Sequence, residues 1–522
     1  MKRYKELIGA AAVSMVVAAA AAGCSGGSHA ALSDTSNGID NSKFVTVSMY
    51  NFGDPTNDSW QAVQQAMNDY IKQNTNLNCA IELHFMTWTN WQTNYATMFA
   101  SGQPVDLVNT ASDWLNMWEY ARKGAFLDLT SLMPKYAPEY YAQVPLNIWN
   151  ACKFNGQIIC LPEYDYTQWV NHGFMYRNDW VQQSGITDGI HTWDQMTQYF
   201  QWILDNKPGV TPWDVAGGQI EHVDGWLNSF STTIPLSVGT SDVATWSIKS
   251  PTDLTVTCPF TDPAYNASLI QFAQTMQQWD SMGVWKTDVM NNADDTWQTM
   301  KAGLTGCHQH IVQDLRGNKL TFDTKDQPGA DLQMFGFWEQ SGVLTKLSVT
   351  HGATSIGAQS QNPERALELF NLIQTDKDFY MLLNYGILNK TYYLNEQGQL
   401  YKPLDFDDNK NGYYANFWGG RKDEFEPPSA TEYPGYQAYS DSLDKIAVLL
   451  PFDGCVFDLT SVQGQVDAVQ QVLTNELPPI AYGKVSDAAA AVNRLADDLK
   501  AAGVDAVTTV VQQQLDAWKA QQ

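Results

Sequence analysis

The chain has 522 residues and a formal net charge of −26, with 30 Lys and Arg against 56 Asp and Glu. Such an acidic surface repels nucleic acid and anionic lipid headgroups, so we expect neither as a direct partner. Apolar residues make up 44% of the chain, and after the N-terminus no apolar run reaches the roughly 18 residues that a membrane-spanning helix needs. A globular body is therefore expected.

The N-terminus has the pattern of an export signal. Basic residues in 1–5 precede an apolar run at 7–22, which ends at Ala21-Ala22-Gly23-Cys24. This order is typical of a secretory signal, and the run is short for a membrane span. The site resembles the lipobox of bacterial lipoproteins, with Ala21 where Leu is more usual. It predicts a signal peptide at 1–23 and lipidation of Cys24; the alternative is an ordinary signal with an incidental cysteine.

Residues 24–43 are expected to form a flexible tether behind that anchor. They are rich in Gly, Ser, Asn and Asp and contain no Phe, Trp or Tyr. Such a segment buries too little apolar surface to fold. A flexible chain of this length spans about 25 Å, so the body should stand just off the membrane.

Strands and helices alternate after the tether. The apolar residues recur with a period of two in the expected strands and at helical spacing in the expected helices. In chain order the predicted elements are strand 45–50, helix 60–71, strand 80–85, helix 90–101 and strand 105–108. Asp58 or Ser59 is expected to cap the first helix. This alternation predicts an α/β fold with parallel strands.

The C-terminal region is predicted to be a helical layer. Apolar stripes at helical spacing mark helices at 462–477, 486–502 and 507–518. The first is expected to stop at Pro478-Pro479 and the second at Gly503, because proline and glycine are common helix terminators.

Short motifs follow one another at characteristic spacing along the body. Residues 123–129 read as a variant of G-x-L-x-D-L with Phe126 at its third position, 155–162 as a variant of the hairpin D-G-K-x-Y-A-L-P, and 176–179 as a variant of Y-R-K-D. Together with 53–55 and 99–107, they resemble the first lobe of extracellular solute-binding proteins of carbohydrate ABC transporters. Further segments resemble a subgroup of these lipoproteins that has a dedicated C-terminal domain: 362–366, 383–386, 501–505 and 512–518.

The resemblance implies an α/β, two-lobed, periplasmic-binding-protein-like fold with hinge crossings between the lobes and a helical C-terminal layer. It suggests lobe one at 44–160 plus 345–390 and lobe two at 161–344 plus 391–522. It also implies a monomer without a cofactor and without catalytic activity. That protein would sit at the extracytoplasmic face of the membrane and pass an oligosaccharide to the permease and ATPase subunits of an ABC importer.

Two segments combine the aromatic faces and carboxylates that a sugar site needs. Asp113 and Trp114 follow the third predicted strand, and ligands bind at the carboxyl ends of strands in open α/β sheets. Glu163, Tyr164 and Trp169 repeat this mixture where the chain first crosses between lobes. These five residues are predicted ligand contacts, with core packing as the alternative for the tryptophans.

Four more residues are candidate ligand contacts. Asn51 and Asp54 occupy the loop after the first strand, although Asp54 could instead cap the following helix. His308 and His310 lie on one side of a predicted strand at 306–312. A zinc site generally needs three or four protein ligands; two histidines fall short, so we predict no metal.

Two patterns stay open. Six cysteines follow Cys24 and allow fifteen disulfide connectivities. Cys152 and Cys160 flank an Asn155-Gly156 turn signal, but that turn would pair Cys152 with Ile159, so a bridge would need a diagonal contact or a bulge.

Residues 407–412 fit the first half of a calcium loop, but Trp418 stands at its twelfth position, where an EF-hand needs Glu. A polar turn is the alternative.

Nucleophile and phosphate-binding motifs are missing from the sequence, with neither G-x-S-x-G nor a P-loop. A carboxylate pair for glycoside hydrolysis cannot be recognised by counting acids. A secreted glycoside hydrolase and a peptide-binding surface lipoprotein are therefore the alternative functions.

Overall fold

The computed structural model describes residues 41–87, 91–164, 172–238, 243–413 and 417–521. The predicted signal peptide, Cys24, most of the tether and Trp169 lie outside the described residues. Asn41 falls within the expected tether, yet it is 4% exposed. Its side chain accepts a hydrogen bond from Arg365 and donates to the carbonyl of Asn76 at 3.2 Å. The packed body therefore includes Asn41.

The described residues form fifteen strands, many of them short. They are β1 (Val45–Phe52), β2 (Cys79–Met86), β3 (Leu107–Thr110), β4 (Lys153–Phe154), β5 (Gln157–Ile158), β6 (Leu161–Pro162), β7 (His172–Arg177), β8 (Ile234–Pro235), β9 (Ser247–Ser250), β10 (Asp253–Thr257), β11 (Cys307–Ile311), β12 (Leu332–Gly336), β13 (Ala353–Ser355), β14 (Tyr393–Leu394) and β15 (Leu400–Tyr401).

Twenty α-helices occur in the described part of the chain. They are α1 (Ser59–Asn74), α2 (Trp91–Ala100), α3 (Met117–Arg122), α4 (Met133–Tyr136), α5 (Pro138–Gln143), α6 (Leu146–Ala151), α7 (Asn178–Gln183), α8 (Trp193–Asn206), α9 (His222–Phe230), α10 (Pro263–Met282), α11 (Thr296–Lys301), α12 (Val312–Thr321), α13 (Trp338–Ser341), α14 (Pro363–Thr375), α15 (Lys377–Tyr385), α16 (Asp408–Asn411), α17 (Tyr436–Ile446), α18 (Gln463–Ala481), α19 (Ala488–Ala501) and α20 (Val504–Lys519).

The first lobe is built on a sheet in the order β2-β1-β3-β13-β6. Strand β1 runs parallel to β2 and β3, whereas β13 runs antiparallel to β3 and β6. The carboxyl ends of β1, β3 and β6 therefore meet the beginning of β13 at one edge of the sheet. Helix α1 buries Val63, Met67 and Ile71 against this lobe and has Asp58 at its N-cap position. The predicted strands and helices here are confirmed.

The second lobe has β7 at the centre of the sheet β11-β7-β12, and both neighbours run antiparallel to it. Its core is rich in indoles: Trp193 packs face to face with Trp279, at a ring-centroid distance of 5.9 Å, and edge-on against Trp226. Helices α18, α19 and α20 bury their apolar stripes in the same core. The predicted two-lobed α/β architecture with a helical C-terminal layer is confirmed.

The chain crosses between the lobes three times in the part that the structure describes. The crossings fall between β6 and β7, between β12 and β13, and between Phe417 of the first core and Tyr436, which packs with residues of β7 and β12. The second crossing contacts the segment before helix α18, because Ser348 Oγ donates to Asp453 Oδ1 at 2.6 Å. Tyr413 and Phe417, in the range suggested for lobe two, pack in the core of lobe one.

Two local predictions have different outcomes. The Asn155-Gly156 turn is confirmed: both residues have positive φ between the paired strands β4 and β5, as a type I′ hairpin requires. The stop at Pro478-Pro479 is wrong, since α18 continues to Ala481. The prolines lie in its last turn, where they remove two i→i−4 hydrogen bonds, and the helix ends two residues later. None of the described helices is both long and apolar enough to cross a membrane.

Candidate functional site

The residues just before β13 accept hydrogen bonds from the segments that follow β3 and β6. The carbonyl of His351 accepts a hydrogen bond from Trp114 Nε1 at 3.1 Å. The next carbonyl, of Gly352, accepts one from the backbone N–H of Glu163 at 3.1 Å. Asp113 and Trp114 therefore lie at the edge of the lobe-one sheet where the strand-end argument placed them. Glu163, in the range suggested for lobe two, is brought to the same edge.

Asp113 forms an ion pair with His351 at this edge. The Oδ2 atom of Asp113 lies 2.6 Å from His351 Nδ1. Burial lowers the pKa of His351, but the charge and hydrogen bond of Asp113 outweigh it and hold the pKa above its usual range. The indole of Trp114 is half-buried and meets Phe52 edge-on, with ring centroids 5.2 Å apart.

Glu163 belongs to a buried group of charges in the first lobe. Its side chain is 4% exposed, and its Oε1 atom lies 3.9 Å from Arg421 Nε. Arg421 also pairs with Asp423, at 2.7 Å, and approaches Glu426, at 4.0 Å. Glu426 in turn accepts hydrogen bonds from Tyr380 and Tyr385. Carboxylates, a guanidinium and phenols together offer both donors and acceptors to a polyhydroxylated ligand.

Two cavities lie between the lobes on either side of the contact between Ser348 and Asp453. The first, of about 430 Å³, is lined by Asp113 and Trp118 from lobe one and by helix α18 from lobe two. The second, of about 420 Å³, is lined by Glu163, Tyr164 and His351. Four residues line both cavities and separate them: Ser348, Leu450, Asp453 and Gly454. Each volume falls within the range of small-molecule sites.

The candidates after β1 take two different positions. Asp54 is exposed, four residues before Asp58, which occupies the N-cap position of α1, so it does not cap that helix. Asn51 is fully buried, and neither its Oδ1 nor its Nδ2 has a hydrogen-bond partner. By register, Asn51 lies beside Asn109 of β3, which lies beside Thr354 of β13. Both neighbours are buried and also have side-chain atoms without a hydrogen-bond partner. Asn51, Asn109 and Thr354 therefore form a line of buried polar residues across three strands of the sheet.

The two histidines lie in lobe two, apart from these cavities. The predicted strand is confirmed as β11, and the stacked rings of His308 and His310 are 5.8 Å apart. Asp314, near the start of α12, joins them: its Oδ2 atom lies 2.7 Å from His310 Nδ1 and 3.8 Å from His308 Nε2. Burial would raise the pKa of Asp314, but the two histidines hold it well below its usual value.

Tyr164 completes the candidate residues that the structure describes. It is half-buried, lines the second cavity and packs against Tyr140, with ring centroids 6.1 Å apart.

Asp407, from the segment that fitted half a calcium loop, caps the short helix α16 and pairs with Lys410 at 2.8 Å. The segment is therefore a polar turn stabilised by a lysine.

Sequence reasoning missed His351, Arg421 and Asp314. The first two are distant in sequence from the acids that they contact, and no local pattern marks them. Asp314 could have been found, because a strand carrying two histidines on one face is followed directly by a helix start. An acid in the first turn of such a helix lies over the end of the strand.

Comparisons with known proteins match this architecture. Residues 53–378 match the model of a family described as bacterial extracellular solute-binding protein, and residues 451–520 match a domain of unknown function. No curated protein sequence matches the chain at a significant level.

Solved structures of binding proteins share the fold. An N-glycan transport solute-binding protein (NgtS) from Streptococcus pneumoniae aligns over 91% of this chain and 98% of its own, with TM-score 0.70 and 18% identity. The alginate-binding protein AlgQ2 aligns over 90% and 98%, with TM-score 0.64 and 18% identity. An extracellular solute-binding protein from Bifidobacterium longum subsp. infantis aligns over 93% and 100%, with TM-score 0.60 and 14% identity.

Proposed function

The chain belongs to the family of bacterial extracellular solute-binding proteins, and on that premise we propose that it captures an oligosaccharide between its lobes and delivers it to an ABC importer. The observation that carries the proposal is the meeting of Asp113, Trp114, Glu163 and His351 beside the interlobe cavities. Aromatic faces next to carboxylates suit the apolar faces and hydroxyl rims of sugars. The S. pneumoniae relative has been solved with Man1GlcNAc and with Man5GlcNAc, which supports a glycan ligand.

The charge of the protein favours a neutral sugar over an anionic one. The chain carries −26 overall, and the lining of the first cavity has four acidic residues, Asp113, Glu119, Asp453 and Asp467, against one basic residue, Arg122. A uronate polymer such as alginate would be repelled by this field, whereas a neutral oligosaccharide would not. The ligand we propose is therefore a neutral oligosaccharide, held through its hydroxyl groups.

A binding screen tests this function. Thermal unfolding of the purified protein would be followed with manno-, gluco- and galacto-oligosaccharides, with an alginate oligosaccharide and with peptide mixtures. We expect a neutral oligosaccharide to raise the melting temperature and to be recovered intact after incubation. Stabilisation by peptides alone, or cleavage of the sugar, would contradict the proposal and favour a peptide-binding lipoprotein or a glycoside hydrolase.

Lipid anchoring at Cys24 is part of the same proposal. The support is the sequence Ala21-Ala22-Gly23-Cys24 after an apolar run, and two or more acyl chains hold a protein stably on a membrane. We expect Cys24→Ala to release the protein from the membrane fraction or to leave its signal peptide uncleaved, as seen by fractionation and mass spectrometry. Unchanged membrane association of a processed variant would contradict the anchor.

A further inference from the structure

We propose that His308, His310 and Asp314 form a binding site for a divalent transition metal such as zinc. One ligand atom from each side chain lies within 4.8 Å of the others. Two imidazoles and one carboxylate are a donor set that such metals prefer. The sequence alone offered two ligands, and the fold supplies the third.

The backbone explains why these three side chains converge. Residues two apart in a strand project to the same face, so β11 places His308 and His310 side by side. The chain then turns directly into α12, which begins at Val312. Asp314 is the third residue of that helix and lies over the end of the strand, with its carboxylate against His310.

One of the three proposed metal-binding side chains is held in place by packing, and the other two are exposed enough to move. His308 is 7% exposed, and its ring packs against Trp297 at a centroid distance of 5.3 Å. Its Nδ1 atom is buried without a hydrogen-bond partner. The side chains of His310 and Asp314 are 42% and 38% exposed. They can therefore move apart from their direct contact to admit a metal, whose bonds to nitrogen and oxygen are about 2.0–2.2 Å long.

The surroundings favour a cation. The carboxylates of Glu221 and Asp295 are near enough to act electrostatically on His310 and His308, respectively. Imidazole nitrogen is a poor donor for calcium or magnesium, which prefer oxygen ligands. Three protein ligands also leave at least one coordination position for water or another oxygen. The site is therefore of the open type and selects a transition metal.

A second histidine–carboxylate pair in lobe two provides a matched control. His191 Nδ1 lies 2.6 Å from Glu339 Oε2. No third metal-ligating side chain joins that pair in the described part of the chain. His191→Gln therefore removes a comparable contact without touching the proposed site.

Metal binding to the full-length chain, without a polyhistidine tag, tests the proposal. The protein would be stripped with a chelator and dialysed against micromolar zinc, with bound metal measured by mass spectrometry. We expect one zinc per chain, at least a roughly tenfold loss of affinity in His310→Gln and in Asp314→Asn, and no change in His191→Gln. Cobalt should give a visible spectrum without a thiolate charge-transfer band, since the ligands are not cysteines.

Either of two results would overturn the site. One is a parent protein that binds no zinc at micromolar free metal. The other is zinc binding that survives unchanged in both His310→Gln and Asp314→Asn, which would place the metal elsewhere. Both variants change half-exposed side chains, and circular dichroism would verify that they fold.

Discussion

The substitution Glu163→Gln removes one negative charge from the proposed sugar site and keeps the shape of the side chain. Glu163 is 4% exposed and sits beside the cavity that Tyr164 and His351 also line. A hydrogen bond from a sugar hydroxyl to a carboxylate contributes about 1.5–3 kcal/mol to binding. Its weakening in the variant should raise the dissociation constant by roughly 10- to 100-fold.

The stability of the fold should hardly change in this variant. Arg421 keeps its partner Asp423 at 2.7 Å and remains 4.0 Å from Glu426, so no buried cation is left alone. Replacing a buried carboxylate with an amide also removes the cost of desolvating its charge. We expect the free energy of unfolding to stay within about 1 kcal/mol of the parent.

Asp423→Asn is the matched control, because it removes a charge from the same arginine at an exposed position. Asp423 is 39% exposed and lines neither interlobe cavity. Calorimetric titration of the stabilising sugar should therefore give a near-parental dissociation constant for Asp423→Asn and a weakened one for Glu163→Gln. The reasoning is refuted if folded Glu163→Gln binds like the parent, or if both variants weaken binding equally.

Three further predictions concern the same region. Trp114→Ala should weaken sugar binding by about 1–3 kcal/mol, measured by calorimetry, because its indole bonds to His351 at the proposed site. Trp202→Ala, at a half-buried indole on helix α8 of lobe two, should not; equal affinities in all three proteins would contradict the role of Trp114. Because Asp113 raises the pKa of His351, the stabilisation from this pair is fully present below the unfolded pKa of about 6.5 and is lost as pH rises through the higher folded pKa. Urea unfolding should show that His351→Gln costs less stability as pH rises, and a pH-independent difference would rule this out. Finally, small-angle scattering should show a smaller radius of gyration with saturating sugar, since ligand contacts from both lobes favour closure; an identical radius would exclude the hinge.

Local patterns predicted local structure well. The strands of lobe one, the type I′ turn at Asn155-Gly156 and the three C-terminal helices all follow from periodicity and turn chemistry within a few residues. The resemblance to extracellular solute-binding proteins, which rested on the order of weak motifs, is confirmed by the family match. The exception is Pro478-Pro479, where packing of α18 keeps the last turn helical despite two prolines.

The site was predicted only in part, because its contacts are made across the fold. Asp113 could be named from a predicted strand end, and Glu163 from the motif at the first crossing between the lobes. Their partners His351 and Arg421 come from other crossings of the chain, and sequence spacing carries no information about them. Asn51 was expected in the loop after the first strand, but it lies within β1 and is fully buried. The assignment of ligand contacts stays a prediction.

The unequal distribution of indoles affects what optical experiments on this protein will report. Of its 19 tryptophans, Trp193, Trp213, Trp226, Trp246 and Trp279 are fully buried in the core of the second lobe. Intrinsic fluorescence during heating will therefore follow mainly the melting of that lobe. The proposed sugar contacts Asp113, Trp114 and Glu163 lie at the edge of the lobe-one sheet, so we expect sugar binding to change the total emission little. Calorimetry senses the whole molecule, and a comparison of the two signals would show whether the lobes unfold together.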